Sequence, residues 1–283
     1  MLIRKITFFV LLAMFFATAS FAKVAGKVQK NVTAKKSNSP SVSLALTHTD
    51  GVQNDADAQT TLSMSGSLKL SGGWSLSLRQ RITKVYTFDQ YGGVEYAWDD
   101  LRLGASYGLD KYRPKFIDSL RSSLFFFVPS SEASKNREQK GKILASLSIS
   151  KSLFSKKISL GYNPYGSYVF NRYTANQEGK MHTLAVIGNS FSLAYMPNKM
   201  ISASAMFGFG QSYSESGDFQ SQGRASNNGY IDIAASATIK PMKKLSFTLG
   251  YAHSDSQVKG GSYEFYAFNP ESSSWFVSTG YSF

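Results

Sequence analysis

Cysteine is absent from the 283 residues of this chain, so disulfide bonds, thiolate zinc sites and a cysteine nucleophile are all excluded. Charged residues are also scarce, at 17% against the roughly 25% usual for soluble domains. Aromatic residues make up 14%, and serine and glycine are plentiful throughout. Few charges, many aromatics and many small polar residues together indicate a protein that faces lipid on one surface and water on the other.

Motifs for nucleotides and nucleic acids are missing as well. The sequence contains no P-loop and no glycine-rich turn between a strand and a helix of the dinucleotide-binding kind, and we expect no cofactor. The net charge of +13 overstates the basic character of the main domain, because residues 1–40 carry seven basic residues and no acid. Residues 41–283 hold 24 basic and 18 acidic residues, an excess of only +6, which argues against a nucleic-acid partner.

The amino-terminal segment has the pattern of a secretory signal peptide over residues 1–22. Arg4 and Lys5 precede an apolar run over 6–17, and Ser20-Phe21-Ala22 offers small residues before a cleavage point. An uncleaved anchor helix is the alternative, but the run is shorter than the about 20 residues that a span needs. Residues 23–40 carry five lysines without periodicity, which indicates a flexible, solvated periplasmic tether.

From residue 41 to 283 apolar and small polar residues alternate with a period of two, as in strands with two different faces. The segments are at least nine residues long, where soluble strands average about five or six, and aromatics gather at their ends. The pattern predicts a single all-β domain, an antiparallel transmembrane barrel of about 12 strands. The predicted strands are 41–49, 59–70, 74–86, 98–108, 119–129, 142–150, 157–173, 181–196, 200–211, 229–239, 244–254 and 273–283.

Three places fit this strand count poorly and leave 10 or 14 strands open. Asp99 and Asp100 could form a tight turn between two short strands, 94–98 and 101–109. The connection 109–118 is long for a periplasmic turn. Asn189 falls on the lipid face of its strand and could mark a bulge.

The carboxyl end supplies a family resemblance. Trp275, Val277, Thr279, Tyr281 and Phe283 share one face of the last strand, and Phe283 is the final residue. This amphipathic strand, with Tyr281 and Phe283 at its end, resembles the assembly signal of bacterial outer-membrane β-barrel proteins of the porin-like class. The resemblance implies export to the outer membrane of a Gram-negative cell, insertion by the barrel-assembly machinery and contact with outer-membrane lipid.

Basic residues on the predicted inward face form the candidate functional site. By parity on neighbouring strands we expect seven of them to line the lumen: Lys69, Arg79, Arg81, Arg102, Arg121, Lys142 and Lys157. A track of arginine and lysine gives a pore a preference for anions. The alternative is that Glu95, Asp99, Asp232 or a folded-in loop neutralises these charges.

Enzymatic sites are not recognised in the sequence. His48, His182 and His253 fall near one rim without a metal-binding spacing, so no metal site is predicted. Outer-membrane phospholipases resemble this chain in size and strand count, but their signature is a histidine and a serine two residues apart. Here Asp50 and Asp255 follow His48 and His253 at that spacing, and a carboxylate is not the hydroxyl nucleophile. An outer-membrane protease is disfavoured too, because no acidic cluster lines one rim.

The leading functional expectation is therefore a narrow passive channel for small anionic or polar solutes in the outer membrane. A closed structural or surface-interaction barrel, acting through the long loops 212–228 and 255–271, is the second hypothesis. A soluble periplasmic β-protein is the third.

Overall fold

The computed structural model describes residues 40–52, 58–86, 96–173, 182–214, 228–256, 258–259, 262–263 and 269–283. The predicted signal peptide and all but the last residue of the predicted tether lie outside these residues. Pro40, the last residue of that tether, is the first residue of a strand. No helix of the described residues is long and apolar enough to cross a membrane.

Fifteen strands form in the described part of the chain, and they agree closely with the alternation in the sequence. They are β1 (Pro40–Gly51), β2 (Gln59–Lys69), β3 (Trp74–Val85), β4 (Tyr96–Trp98), β5 (Leu101–Gly108), β6 (Ser119–Val128), β7 (Gln139–Leu153), β8 (Ile158–Asn171), β9 (Thr183–Tyr195), β10 (Ile201–Ser214), β11 (Asn228–Met242), β12 (Leu245–Ser256), β13 (Val258–Lys259), β14 (Ser262–Tyr263) and β15 (Ser273–Ser282). A short helix, α1 (Glu132–Asn136), lies between β6 and β7, and single 3-10 turns occupy Ser71–Gly73 and Pro270–Ser272.

The main sheet closes on itself, because β1 pairs with both β2 and β15. Every neighbouring pair around the wall is antiparallel. Apart from the closing pair of β1 and β15, each pair joins strands that are successive wall positions along the chain, and β13 and β14 pair with each other outside the wall. Strands β4 and β5 both pair with β3 and therefore share one position in the wall. The predicted barrel of 12 strands is confirmed, with β4 as an additional short strand.

Asp99 and Asp100 lie between β4 and β5, where the pairing with β3 becomes irregular, and the chain does not reverse direction there. Ile82 pairs with Trp98, whereas Arg79 pairs with Arg102, so the register shifts by one residue between them. The side chain of Gln80 fills the interruption, where its amide donates to the Asp99 carbonyl at 2.7 Å. Gln80 is only 1% exposed as a result. The hairpin considered at this place does not form.

The loop that precedes β7 is hydrogen-bonded to the same irregular segment, through Asp100. Ser131 caps α1 by accepting a hydrogen bond from the Ser134 backbone at 3.0 Å. Asp100 then accepts from the Ser131 backbone at 2.9 Å and from the Ser134 hydroxyl at 2.5 Å. Asp100 therefore holds a loop that begins one strand away.

The two faces of the wall differ in the way a membrane barrel requires. Large apolar side chains on one face are exposed, including Leu46, Leu76, Leu249 and Val277. On the other face short hydroxyl side chains pair across neighbouring strands at 2.8–2.9 Å. These pairs are Ser41–Ser67, Ser43–Ser65, Thr47–Ser278, Thr61–Thr83, Ser204–Ser236 and Thr238–Thr248. An apolar outer belt around a lumen lined by small polar groups is the arrangement of a transmembrane barrel.

Asn189 lies on the outer face in regular strand pairing rather than at a bulge. Its neighbours Pro164 and Phe209 pair with it across β8 and β10, and the register of β9 shifts only near the far end of β10. The Tyr162 hydroxyl donates to the Asn189 side-chain oxygen at 2.7 Å. This bond satisfies a polar atom that would otherwise face lipid alone.

The last strand, on which the assembly signal is predicted, lies beside the first strand of the barrel. Strand β15 pairs with β12 on one side and β1 on the other, so it closes the barrel. The backbone N–H of Phe283 donates to the Val42 carbonyl at 2.9 Å, and the rings of Tyr281 and Phe283 lie 5.0 Å apart. Both aromatic side chains are exposed on the outer face.

Candidate functional site

Five of the seven predicted lumen residues come together on one side of the barrel, on the consecutive strands β3, β5, β6 and β7. We call this set the basic wall: Arg79, Arg81, Arg102, Arg121 and Lys142. The pairings place these residues on the same inward face as the hydroxyl pairs. Lys69 ends β2 on the same face, next to a turn. Lys157 lies in the exposed turn before β8, because that strand begins at residue 158 rather than 157.

The centre of the basic wall is a cluster of three guanidinium groups. Arg79 and Arg102 are direct cross-strand partners, and Arg81 follows two residues along β3. Like charges directly opposite one another destabilise a sheet unless another charge or water offsets them. Asp99 forms an ion pair with Arg81. No carboxylate of the described residues lies within ion-pair distance of Arg79 or Arg102, so the cluster of three arginines keeps an excess of positive charge.

Aromatic rings hold two cations of the basic wall close to the strands. The Arg102 guanidinium lies 4.8 Å from the centre of the Phe125 ring, and the Lys142 ammonium lies 5.4 Å from that of Phe127. Cations at this distance over a ring face are attracted by its electron density. Phe125 also packs over Gly104, where a β-carbon would lie 2.7 Å from the ring. The sequence did not reveal these partners, because three consecutive phenylalanines obscured which ones face the lumen.

Arg121 belongs to the same face but reaches a different partner. Its guanidinium donates to the Ser75 hydroxyl on β3 at 3.4 Å, across the intervening strand β5. The small residues Ser106 and Gly108 of β5 lie between them in the register. Arg121 therefore extends the basic wall toward the short turns.

The three acids that were predicted to neutralise the lumen charges lie in different parts of the chain. Asp99 offsets Arg81, as one alternative anticipated. Asp232 lies on β11 and accepts from the Ser254 hydroxyl at 2.6 Å. Glu95 lies outside the described residues. The partial neutralisation of one arginine leaves the basic wall positively charged.

Two tyrosines brace the lumen wall away from the arginines. The hydroxyls of Tyr165 on β8 and Tyr230 on β11 meet at 2.5 Å, although β9 and β10 lie between their strands. Gly188 and Gly210 lie beneath the rings, and a β-carbon at either glycine would come within 2.6 Å of a ring carbon. The glycines therefore let both rings lie along the wall. The sequence offered no signal for this contact.

Solved structures show which class of barrel this arrangement resembles. An outer membrane channel from Pseudomonas putida matches with a TM-score of 0.58 and 10% identity, covering 90% of this chain and 98% of that chain. The NanC porin matches with a TM-score of 0.55 and 10% identity, covering 85% and 98% of the two chains. The KdgM porin matches with a TM-score of 0.51 and 10% identity, covering 86% and 99%. The chain has the fold of outer-membrane porins. No protein-family model and no curated protein matches it.

A serine and a histidine do approach one another on this porin-like barrel, which bears on the enzyme alternative. The Ser273 hydroxyl lies 3.1 Å from His253 Nδ1. It donates, however, to the Asn269 carbonyl at 2.6 Å and accepts from the Tyr251 hydroxyl at 2.6 Å. Ser273 is 4% exposed and His253 is 1% exposed. A buried hydroxyl that donates to a backbone carbonyl is not presented as a nucleophile, so this cluster is a packing feature of the rim.

Histidines and acidic residues of the described chain form no metal site, since no group of three is arranged to hold an ion. His48 on the outer face instead accepts or donates a hydrogen bond with Thr60 at 3.0 Å, and Thr60 contacts the Tyr86 hydroxyl at 2.9 Å. His182 lies before β9 at the rim. Within the described residues, the basic wall is therefore the candidate functional site of the porin-like lumen.

Proposed function

We propose that the protein is a passive channel of the bacterial outer membrane that conducts small anionic or polar solutes and carries out no chemical reaction. The observation that carries this proposal is the guanidinium cluster of Arg79, Arg81 and Arg102, which has Asp99 as its ion-pair partner. A barrel of 12 strands is intermediate between side-chain-filled barrels of eight and wide pores of 16. A lumen of that width brings a passing anion close to the charged wall.

The basic wall attracts anions because, among the described residues, only Arg81 of its five cations has a carboxylate in ion-pair contact. Arg79 and Arg102 repel one another across the strand pair, and an anion between them relieves that repulsion. Arg81 is half exposed even in its ion pair with Asp99. A binding site that is favourable to enter, yet shared among several adjacent cations, also permits release.

One porin with the same fold has been solved together with a solute. The KdgM porin has been solved in complex with disordered oligogalacturonate, a chain of carboxylate-bearing sugars, and that structure matches this chain with a TM-score of 0.52. The likeness concerns the fold, at 10% identity. We take from it only the expectation that carboxylates are a suitable first set of solutes to test.

Single-channel recording of the refolded full chain in a salt gradient tests the proposal. We expect an anion-selective conductance, and a reversal potential that moves toward cation selectivity in the double variant Arg79→Ser/Arg102→Ser. The matched control is Lys135→Ser/Arg137→Ser, which removes two exposed charges from the α1 loop, outside the strands of the wall. A silent bilayer from protein shown to be folded by its heat-modifiable gel shift, or cation selectivity of the unaltered chain, refutes the proposal.

A silent but folded barrel would favour the alternative of a surface-interaction barrel. The loops 212–228 and 255–271 on which that hypothesis rests lie largely outside the described residues. Among the described residues, the α1 loop lies at the same end of the barrel, and hydrogen bonds to Asp100 hold it in place. Deletion of the long loops should then abolish binding to a partner and leave the barrel folded.

A further inference from the structure

The excess positive charge of this protein is concentrated at one end of the barrel. We call this the short-turn end and define it by residues 69–73, 109–118, 151–157, 196–200 and 240–244, which connect or flank the strands there. It holds 11 basic residues and two acids: Lys69, Lys111, Arg113, Lys115, Lys151, Lys156, Lys157, Lys199, Lys240, Lys243 and Lys244, with Asp110 and Asp118. The chain also enters β1 from this end, immediately after the five lysines of residues 23–39.

The opposite end has the opposite balance. Its six connections, with the adjoining strand ends, span 50–58, 86–96, 129–141, 172–182, 212–228 and 255–272. In sequence they contain 13 acidic and seven basic residues. A uniform requirement for solubility would not divide the charges in this way. The excess at the short-turn end therefore indicates an anionic partner for that end alone.

Exposed apolar side chains lie among the same cations. Tyr112 is 75% exposed between Lys111 and Arg113, and Phe116 is 70% exposed after Lys115. Other turns repeat this arrangement with Phe154 at 73%, Met242 at 62% and Met200 at 53% exposure. Exposed aromatics and methionines beside lysines are unfavourable in water, whereas they suit the boundary between acyl chains and headgroups.

The turn at residues 154–157 displays this preference most clearly. Phe154, Ser155 and Lys156 all have left-handed backbone conformations, with φ of 50°, 55° and 70°. Such conformations are costly for bulky residues, and glycine would adopt them without that cost. The turn nevertheless presents a phenylalanine and two lysines outward, which is what an interfacial anchor requires.

The cations surround the rim rather than forming a patch on one side. They come from the turns after β2, β5, β7, β9 and β11, which lie at successive positions around the closed wall. The two acids of this end are already used, since Asp110 approaches Arg113 at 3.9 Å and Asp118 approaches Lys151 at 3.5 Å. A docked protein would meet only part of such a ring, whereas the headgroups of a lipid leaflet meet all of it.

We infer that the short-turn end binds the headgroups of anionic phospholipids in the leaflet that surrounds it, with phosphatidylglycerol as the simplest representative. This inference rests on the proposed membrane location but not on conduction through the lumen. Lysine ammonium groups and phosphodiester oxygens would supply the attraction, and the exposed aromatics would fix the depth of the turns.

Spin-labelled lipids measure this preference directly in the reconstituted full chain. The protein is placed in phosphatidylcholine vesicles, and the motionally restricted fraction is compared for labelled phosphatidylglycerol and labelled phosphatidylcholine. We expect phosphatidylglycerol to be preferred, and the preference to weaken in 0.5 M salt because screening shortens the range of the attraction. The variant Lys240→Gln/Lys243→Gln/Lys244→Gln removes three exposed cations from one hairpin of the ring. Its preference should fall by about fivefold for each lysine that contacts a headgroup.

The matched control removes three exposed cations from the other end, as Lys135→Gln/Arg137→Gln/Lys140→Gln, and should keep the preference of the unaltered chain. Equal affinity of the unaltered chain for both lipids overturns the inference, as does an equal loss in both triple variants. If the ring variant changes anion conductance but not lipid preference, the lysines serve the pore mouth and the inference is wrong. Conductance is recorded from the same vesicles: lipid preference without conductance refutes the channel alone, and conductance without lipid preference refutes this inference alone.

Discussion

Replacing Gly188 with alanine should distort the lumen wall, because two tyrosine rings occupy the space that the new methyl group needs. A β-carbon at this position would lie 2.5 Å from the Tyr165 hydroxyl, 2.6 Å from its ring carbon and 2.9 Å from the Tyr230 hydroxyl. Contacts of that length cannot persist, and the rings are the parts free to move. We therefore expect both rings to swing away from the wall and into the lumen.

The size of the effect follows from two unfavourable contributions and one favourable contribution. Overpacking of this kind destabilises a folded protein by about 1–3 kcal/mol. If the hydroxyls of Tyr165 and Tyr230 part, the loss of their hydrogen bond adds about 1 kcal/mol. Alanine in a strand is otherwise more favourable than glycine by about 0.5–1 kcal/mol, which reduces the net loss. The free energy of unfolding should thus fall by about 1–3 kcal/mol.

Urea unfolding in vesicles measures the stability, and single-channel conductance measures the obstruction. Gly66→Ala is the matched control, because a β-carbon there meets nothing closer than 4.0 Å. Removing the nearer ring in the double variant Tyr165→Ser/Gly188→Ala should restore much of the conductance. If Gly188→Ala matches Gly66→Ala in both measurements, the tyrosine brace does not shape the lumen and our reasoning is refuted.

Two further predictions concern the outer face and a short turn. Tyr162→Phe should lower the free energy of unfolding by about 1–3 kcal/mol, because it leaves the Asn189 oxygen facing lipid without a donor; the double variant Tyr162→Phe/Asn189→Leu should recover it, and a single variant as stable as the parent in urea would contradict this account. The backbone N–H of Ser152 holds the pKa of Asp118 below its usual value, so this carboxylate stabilises the fold above about pH 4 and loses that effect as the pH falls through its lowered pKa. Unfolding curves of Asp118→Asn should then differ from those of the parent at pH 6 and converge in acid, whereas a constant difference would exclude the linkage.

The strands could be predicted from the sequence because a membrane barrel imposes two different solvents on its two faces. Leu46, Leu76 and Leu249 must face lipid, and the serines between them must face the lumen, so the period of two persists over the whole strand. Because of the same regularity, the ends of most strands could be predicted to within a few residues. The break at Asp99–Asp100 could not be settled in this way, because a bulge and a hairpin turn require the same residue types.

The contacts that shape the lumen were not predictable from the sequence. Alternation along a strand shows which face a residue is on, but these contacts depend on which residues lie opposite one another on neighbouring strands. Parity places Arg79 and Arg102 on the inward face, but only the pairing of β3 with β5 makes them direct neighbours. Tyr165 and Tyr230 are 65 residues apart, and they meet only because two glycines on the intervening strands align beneath them. A single sequence carries no record of that alignment.

The unequal distribution of basic and acidic residues among the connections is present in the sequence. It could be interpreted only once the structure showed which connections lie at the same end of the barrel. Along the chain, Lys115, Lys156 and Lys243 are surface lysines in three turns that are far apart in the sequence. The closed sheet brings those turns to one rim and places exposed Phe154 and Met242 beside them. The basic wall and the cations of the short-turn end are then two separate sets of residues, and we propose that the first meets solutes and the second meets lipid. Because their positions differ, variants of one set should leave the property of the other unchanged, which makes the two proposals independently testable in one reconstituted protein.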